Sequence, residues 1–210
     1  MVVVILYFWG GEAFTNWPFC KSVMEKAMDD RIVNFMFYTN GTYLKKYKKI
    51  LAKISEKLGN RLINGMPRLH IQVSFDGEPI NTMERHTKKG ASKKMSDHVY
   101  DSYLDLKKDG FSIGLKQTIS ARNFKHLFET WKWHYDRGEH YGPTPDTHGD
   151  DAKTEDPVSQ EEYRGHLKDL SMNMLQISKY CIDNNIEPGK TFQWFTQQRA
   201  NCSAGMNYLS

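Results

Sequence analysis

Three short polar segments carry the residue types best suited to holding a ligand: Gly10-Gly11-Glu12, Thr39-Asn40-Gly41 and Ser74-Phe75-Asp76-Gly77. A glycine pair lets backbone approach a bound molecule with no Cβ in the way. The carboxylate of Glu12, next in the chain, can accept from an ammonium group. Taken singly, each segment also reads as a plain turn between two elements. What sets them apart is that each directly follows an apolar, strand-like run.

Those runs define the elements that must position the segments. Residues 2–9 form a continuous apolar stretch, the pattern of a strand covered on both faces. Ile32 to Tyr38, Leu69 to Phe75 and Phe111 to Ile119 predict three further strands, and residues 139–145 a short fifth, weakened by Pro143 and Pro145. Between them lie helical periodicities: Val23, Met24, Ala27 and Met28; Leu44, Tyr47, Ile50, Leu51, Ile54 and Leu58; Val99, Tyr103 and Leu106; Phe124, Leu127, Phe128 and Trp131. Thr42 is expected to cap the second helix and Gly59 to end it. Strands alternating with helices predict a parallel α/β sheet, and in such folds ligands bind beyond the carboxyl ends of the strands. All three polar turns fall at that edge. Beyond residue 145 an acidic stretch, Asp146 to Asp156, precedes a long helix carrying Tyr163, Leu167, Leu170, Met174, Ile177 and Cys181. The expected organisation is one α/β domain over 1–145 and a helical extension over 146–210.

With these elements in place, the chain resembles the radical SAM superfamily, in particular maturases with a SPASM-type C-terminal extension such as sulfatase-maturating enzymes. The resemblance runs from Tyr7 to Ser210. It is carried by Tyr7-Phe8-Trp9-Gly10-Gly11-Glu12, Tyr38-Thr39-Asn40-Gly41-Thr42, Gln72-Val73-Ser74-Phe75-Asp76-Gly77, Ile113-Gly114-Leu115-Lys116-Gln117-Thr118-Ile119 and Cys202-Ser203-Ala204-Gly205. It implies a partial (β/α) barrel of parallel strands that lacks the family's first strand. It implies S-adenosylmethionine as cofactor, its amino group at Gly10, Gly11 and Glu12, with Thr39, Asn40 and Gly41 nearby. Ser74 and Lys116 would meet the methionine carboxylate; Lys116 stands where arginine is common and keeps the charge without the bidentate fork. Cys202 would be a ligand of an auxiliary iron-sulfur cluster, although by itself it reads equally as a small turn residue. Ala13 replaces the proline that commonly follows Gly-Gly-Glu.

The sequence departs from the family in one serious respect. The C-x3-C-x2-C motif that holds the family's 4Fe-4S cluster does not occur in it. Of the three cysteines, Cys20 is solitary on a predicted helix and Cys181 lies on an apolar stripe, which suits core packing. An odd number with no close pair argues against a disulfide framework and fits reduced thiols in the cytoplasm. The eight histidines make no H-x3-H pair and read as surface or core residues.

The net charge of +4 is too small to indicate nucleic acid, and no apolar run approaches the length of a membrane span. The lysines from Lys45 to Lys57 are expected to form a solvated helix face. Two functions remain. One is a radical SAM enzyme, or a fragment or subunit of one, generating a 5′-deoxyadenosyl radical for hydrogen abstraction from a peptide or protein. A second polypeptide would then supply the missing strand and cluster, since a barrel without its first strand exposes a sheet edge. The other is a non-catalytic barrel remnant that binds a partner or serves structurally. Glu78 to Ser96 and residues 139–157 are expected on the substrate side.

Overall fold

The computed structural model describes residues 4–29, 33–59, 62–63, 65–78, 93–119, 121–139, 143–145 and 160–186. The chain divides into two compact units, residues 1–75 with 91–115, and residues 76–90 with 116–210. The expected boundary at 145/146 and the Cys202 segment lie outside the described residues, as does most of the stretch from Glu78 to Ser96.

In chain order the first unit holds β1 (Val4–Phe8), a 3-10 turn (Ala13–Asn16), α1 (Trp17–Ala27), β2 (Val33–Thr39), α2 (Leu44–Leu58), β3 (Leu62–Ile63), β4 (Met66–Pro67), β5 (Leu69–Ser74), α3 (Lys93–Lys108) and the start of β6 (Ile113–Ile119). As the alternation predicts, β1, β2 and β5 run parallel and in that order, with Phe8 beside Phe37 and Phe37 beside Ile71. The β6 side is reached where the Ile71 N–H donates to the Ser112 carbonyl at 2.9 Å.

Burial alternates along β5. Leu69, Ile71 and Val73 are buried, whereas His70, Gln72 and Ser74 are half-buried. Along β5 one face is therefore apolar and the other polar. The apolar face is aromatic: Phe37 stacks on Phe8 and Phe14, with centroids 4.3 and 5.2 Å apart, and Phe14 also stacks on Trp17 and Tyr47. Phe14 and Phe37 are fully buried, each contributing about 3 kcal/mol of apolar transfer. On α2, Leu44, Leu51, Ile54 and Leu58 are buried while most of the lysines are exposed, as the periodicity predicts, but Ile50, expected on the same face, is exposed. Lys48 is partly covered and forms ion pairs with Asp105 and Asp109 at 2.7 and 2.8 Å.

Two local expectations need correction. β1 is not covered on both faces: Val4 is 40% and Tyr7 55% exposed. The continuous run hides a division of labour, for Tyr7 stacks on Tyr38, which is itself only half-buried, while Phe8 is buried. Thr42 does not cap α2. Its N–H and hydroxyl both donate to Asn40 Oδ1, at 3.0 and 2.7 Å, and the residue at the helix start is Tyr43, which makes no side-chain cap. The antiparallel pairing of β3 with β4 was not anticipated, although Asn64-Gly65 between them is a strong two-residue hairpin signal. Gly59 does end α2, with φ of 69° and its N–H donating to the Ser55 and Glu56 carbonyls.

The second unit holds the remainder of β6, a 3-10 turn (Ala121–His126), α4 (Leu127–Asp136), β7 (Pro143–Pro145) and α5 (Gln160–Asp183). Its core is Leu127, Trp131, Ile177 and Cys181, with Leu170 and Met174 packed against them. Cys181 is thus a packing residue, whereas Leu167, expected on the same stripe, is 41% exposed. Asn173 satisfies the start of α4 from outside, its Oδ1 accepting from the Phe128 N–H at 2.9 Å. β7 pairs with β6 in parallel, Gln117 to Ile119 beside Pro143 to Pro145. Its prolines are two residues apart, so both missing donors fall on one side and Thr144 keeps its N–H for the other.

Candidate functional site

The carboxyl ends of β1 and β2 meet in a hydrogen-bonded network centred on Glu12. Its Oε1 accepts from the Thr39 hydroxyl at 2.8 Å and from the Phe14 N–H at 3.1 Å. Its Oε2 accepts from the Asn40 N–H at 2.7 Å. Thr39 Oγ1 in turn accepts from the Gly41 N–H at 3.0 Å. Two turns that are 27 and 28 residues apart in sequence therefore share one carboxylate. The reason is local. Glu12 sits at the N-cap of the 3-10 turn, where backbone N–H groups lack partners. Phe14, at the second residue of that turn, plugs into the aromatic core and fixes its height.

Beside this network the backbone at Gly10 and Gly11 is open. Both have positive φ, 97° and 57°, and no described atom lies within 4 Å of where a Cβ would stand. Trp9, just before them, is 82% exposed. The combination is a bare stretch of backbone alongside a carboxylate with three of its roughly four acceptor positions filled. Such a rim can receive a cation or the N–H groups of a ligand.

Gly41 is different. A Cβ there would lie 2.7 Å from Val99 Cγ1 and 3.0 Å from Val73 Cγ1. Its glycine is required by packing between β5 and α3.

Of the residues singled out from the sequence, Gly10, Gly11, Glu12, Thr39, Asn40 and Gly41 come together in the first unit. Ser74 ends β5 in the same unit and is half-buried. His70 and Gln72 share its face, and His70 Nδ1 lies 2.8 Å from Ser112 Oγ. Burial lowers the pKa of His70 below the usual imidazole value. Lys116 lies on the part of β6 that belongs to the second unit. Burial raises the Cys20 thiol pKa and the charge of Glu12 adds to the rise, so Cys20 is held as a neutral thiol.

In the second unit the Asp76-Gly77 turn is held by groups that the sequence did not mark. Asp76 is buried and its Oδ1 accepts from the Thr118 N–H at 2.8 Å, while Asn123 Nδ2 donates to the Thr118 carbonyl at 3.0 Å. The end of β6, two residues past Lys116, is clamped through donor and acceptor alike. Gly77 has φ of 93°, and a Cβ would fall 3.2 Å from both His134 Nε2 and Thr130 Cγ2. His134 is fully buried. Burial brings its pKa down to about 4, with the Asp76 backbone opposing and Arg137 adding to the fall. Its position beneath this turn is what gives His134 a role, and no spacing in the sequence announces that.

Among the described residues no group of three or more His, Cys, Asp or Glu side chains can hold a metal ion, and none of their helices is long and apolar enough to cross a membrane.

No protein-family profile and no curated protein sequence matches the chain. Solved structures do. Native anSMEcpe with bound AdoMet (S-adenosylmethionine) aligns over 90% of this chain and 50% of its own, with a TM-score of 0.62 and 16% identity. Native anSMEcpe with bound AdoMet and Cp18Cys peptide aligns over 92% and 52%, with a TM-score of 0.61 and 14% identity. The chain thus spans about half the length of these structures. anSMEcpe is an anaerobic sulfatase-maturating enzyme with a SPASM extension, of the radical SAM superfamily. At this identity the likeness is one of fold alone.

Proposed function

We propose that this chain is the S-adenosylmethionine-binding part of a radical SAM enzyme whose substrate is a peptide or protein. The observation that carries the reading is the Glu12 network beside open backbone at Gly10 and Gly11, at the carboxyl ends of parallel strands, in the fold of an AdoMet-bound enzyme. In this reading the cofactor's ammonium lies against the backbone of Gly10 and Gly11, under the negative charge of Glu12. Ser74 donates its hydroxyl to the methionine carboxylate. Asp76 and Asn123, by fixing Thr118, set the height of the strand from which Lys116 extends. The peptide class is suggested by the Cp18Cys peptide bound to the similar structure.

The residues present do not fit the family's 4Fe-4S cluster. The sequence contains no C-x3-C-x2-C, and Cys20 and Cys181 are both buried, with thiol pKa values raised by burial. The radical-generating step is therefore not assigned to these residues. A second polypeptide bearing the cluster would complete the enzyme, with Cys202 as a ligand of an auxiliary cluster. The rival reading is a non-catalytic protein that keeps the ligand site and has no redox role.

Calorimetric titration of the chain with S-adenosylmethionine tests the common part of both. Saturable one-to-one binding that is lost in Glu12→Ala is the expected result, and no binding at millimolar cofactor overturns it. Anaerobic iron and sulfide analysis after reconstitution separates the two. Iron bound only when a cluster-bearing partner is present supports the enzyme, and cofactor binding with no iron under any pairing supports the binding protein.

A further inference from the structure

We infer that the Glu12 carboxylate and the Thr39 hydroxyl form a latch that holds the two turns as one rim, so that Thr39 is a positioning residue which never touches the ligand. The inference rests on the cofactor reading above and assigns a division of labour within that site. Thr39 is only 2% exposed, so its hydroxyl has no route to a molecule in solution. It donates to Glu12 Oε1 at 2.8 Å and accepts from the Gly41 N–H at 3.0 Å, using its one proton and one lone pair inside the protein. Glu12 spends its own capacity similarly, on Phe14 N, Thr39 Oγ1 and Asn40 N. Asn40 continues the chain, its Oδ1 accepting from Thr42 N and Thr42 Oγ1.

The arrangement has a physical purpose. The Gly10-Gly11 backbone has no side chains, and no described atom stands within 4 Å of its Cβ positions; glycine has the most conformational freedom to lose on binding. Fastening the next residue, Glu12, to the end of β2 removes much of that freedom before a ligand arrives. A single charged acceptor does this efficiently, because hydrogen bonds to an ionised group are about twice as strong as neutral ones.

Two measurements on the whole chain test the latch, one without ligand and one with it. In ligand-free protein, Thr39→Val is expected to speed amide hydrogen exchange at Phe14 and Asn40 by roughly tenfold, and Thr39→Ser to leave it as in the wild type. With S-adenosylmethionine, Thr39→Val is expected to weaken binding roughly tenfold although it removes no charge. In ligand-free protein the double variant Thr39→Val with Glu12→Ala is expected to exchange no faster at Phe14 and Asn40 than Glu12→Ala alone, since one latch cannot be broken twice. Unchanged exchange in Thr39→Val, or additive losses in the double variant, overturns the inference. If Thr39→Val does not fold, Thr39→Ser decides: its hydroxyl keeps the bond, so a loss of protection or affinity there overturns it. If the wild type binds no cofactor, the functional reading fails, and the exchange measurement still decides whether the latch exists.

Discussion

Gly10 and Gly11 in one turn, and Gly41 and Gly77 in two others, all have positive φ, yet glycine is needed at them for opposite reasons. At Gly41 and Gly77 the space for a Cβ is already filled, by Val99 and Val73 in the first unit and by His134 and Thr130 in the second. At Gly10 and Gly11 that space is open. Packed glycines preserve a fold, whereas an unpacked glycine pair beside an anchored carboxylate leaves backbone accessible. The sequence shows four glycines in turns after strands, and only the structure separates the two kinds.

The largest effect is expected where the crowding is worst. Gly41→Ala must place a Cβ 2.7 Å from Val99 Cγ1. Overpacking and a left-handed backbone together cost about 4 kcal/mol. Urea unfolding monitored by circular dichroism measures this, and a loss below 1 kcal/mol would mean that α3 yields easily and Gly41 is not a packed glycine. Val99→Ala in the same background should restore part of the loss.

The turn at Gly77 makes a second, pH-dependent test. His134, packed beneath it, has a folded pKa of about 4 against 6.5 for the free side chain. As pH falls below 6.5, the unfolded chain takes up this proton before the folded chain does. The stabilisation is therefore complete above pH 6.5 and lost as pH falls through 4, a change of about 3 kcal/mol. The difference in unfolding free energy between wild type and His134→Gln should shrink by that amount across this window. A flat difference would show that the imidazole is not held neutral under the turn. At neutral pH, Gly77→Ala should cost about 2 kcal/mol through its 3.2 Å contacts, and Thr130→Ser, which removes the Cγ2 methyl, should relieve some of it.

Much of the first unit was legible in the sequence because periodicity reports burial. The strand-helix alternation, the four buried leucine and isoleucine positions on α2 and the helix stop at Gly59 all follow from local chemistry. So does the gathering of the Gly-Gly-Glu and Thr-Asn-Gly turns at one edge, since parallel strands bring their carboxyl ends together. What was not legible depends on partners distant in the chain. Thr42 has the right side chain for a helix cap, but the cap position falls one residue later, at Tyr43, and Thr42 turns its hydroxyl to Asn40 Oδ1. Tyr7 sits in a continuous apolar run, yet it turns to the polar face and stacks on Tyr38. His134 and Asp76 meet at a turn 58 residues from the histidine only because α4 packs there. A carboxylate shared across 28 residues has no sequence signature beyond the presence of a glutamate.

The smallest effect on stability is expected at the open turn, and it is the most informative. Gly11 has φ of 57°, inside the left-handed region that alanine enters at a cost of about 1 kcal/mol. With no described atom near its Cβ position, Gly11→Ala should lose that and nothing more. Its methyl group would nevertheless stand where a ligand must come close to backbone. Affinity for S-adenosylmethionine should therefore fall at least tenfold, out of proportion to the change in stability. Unfolding and calorimetric titration on the same preparation compare the two. A stability loss as large as that of Gly41→Ala would mean the turn is packed after all, and the contrast between the two kinds of glycine would collapse. A small stability loss with unchanged affinity would keep the contrast and move the ligand elsewhere along the strand ends, away from Glu12. Only a small loss of stability with a large loss of affinity ties the open backbone to binding, because no packing defect produces that pair of results.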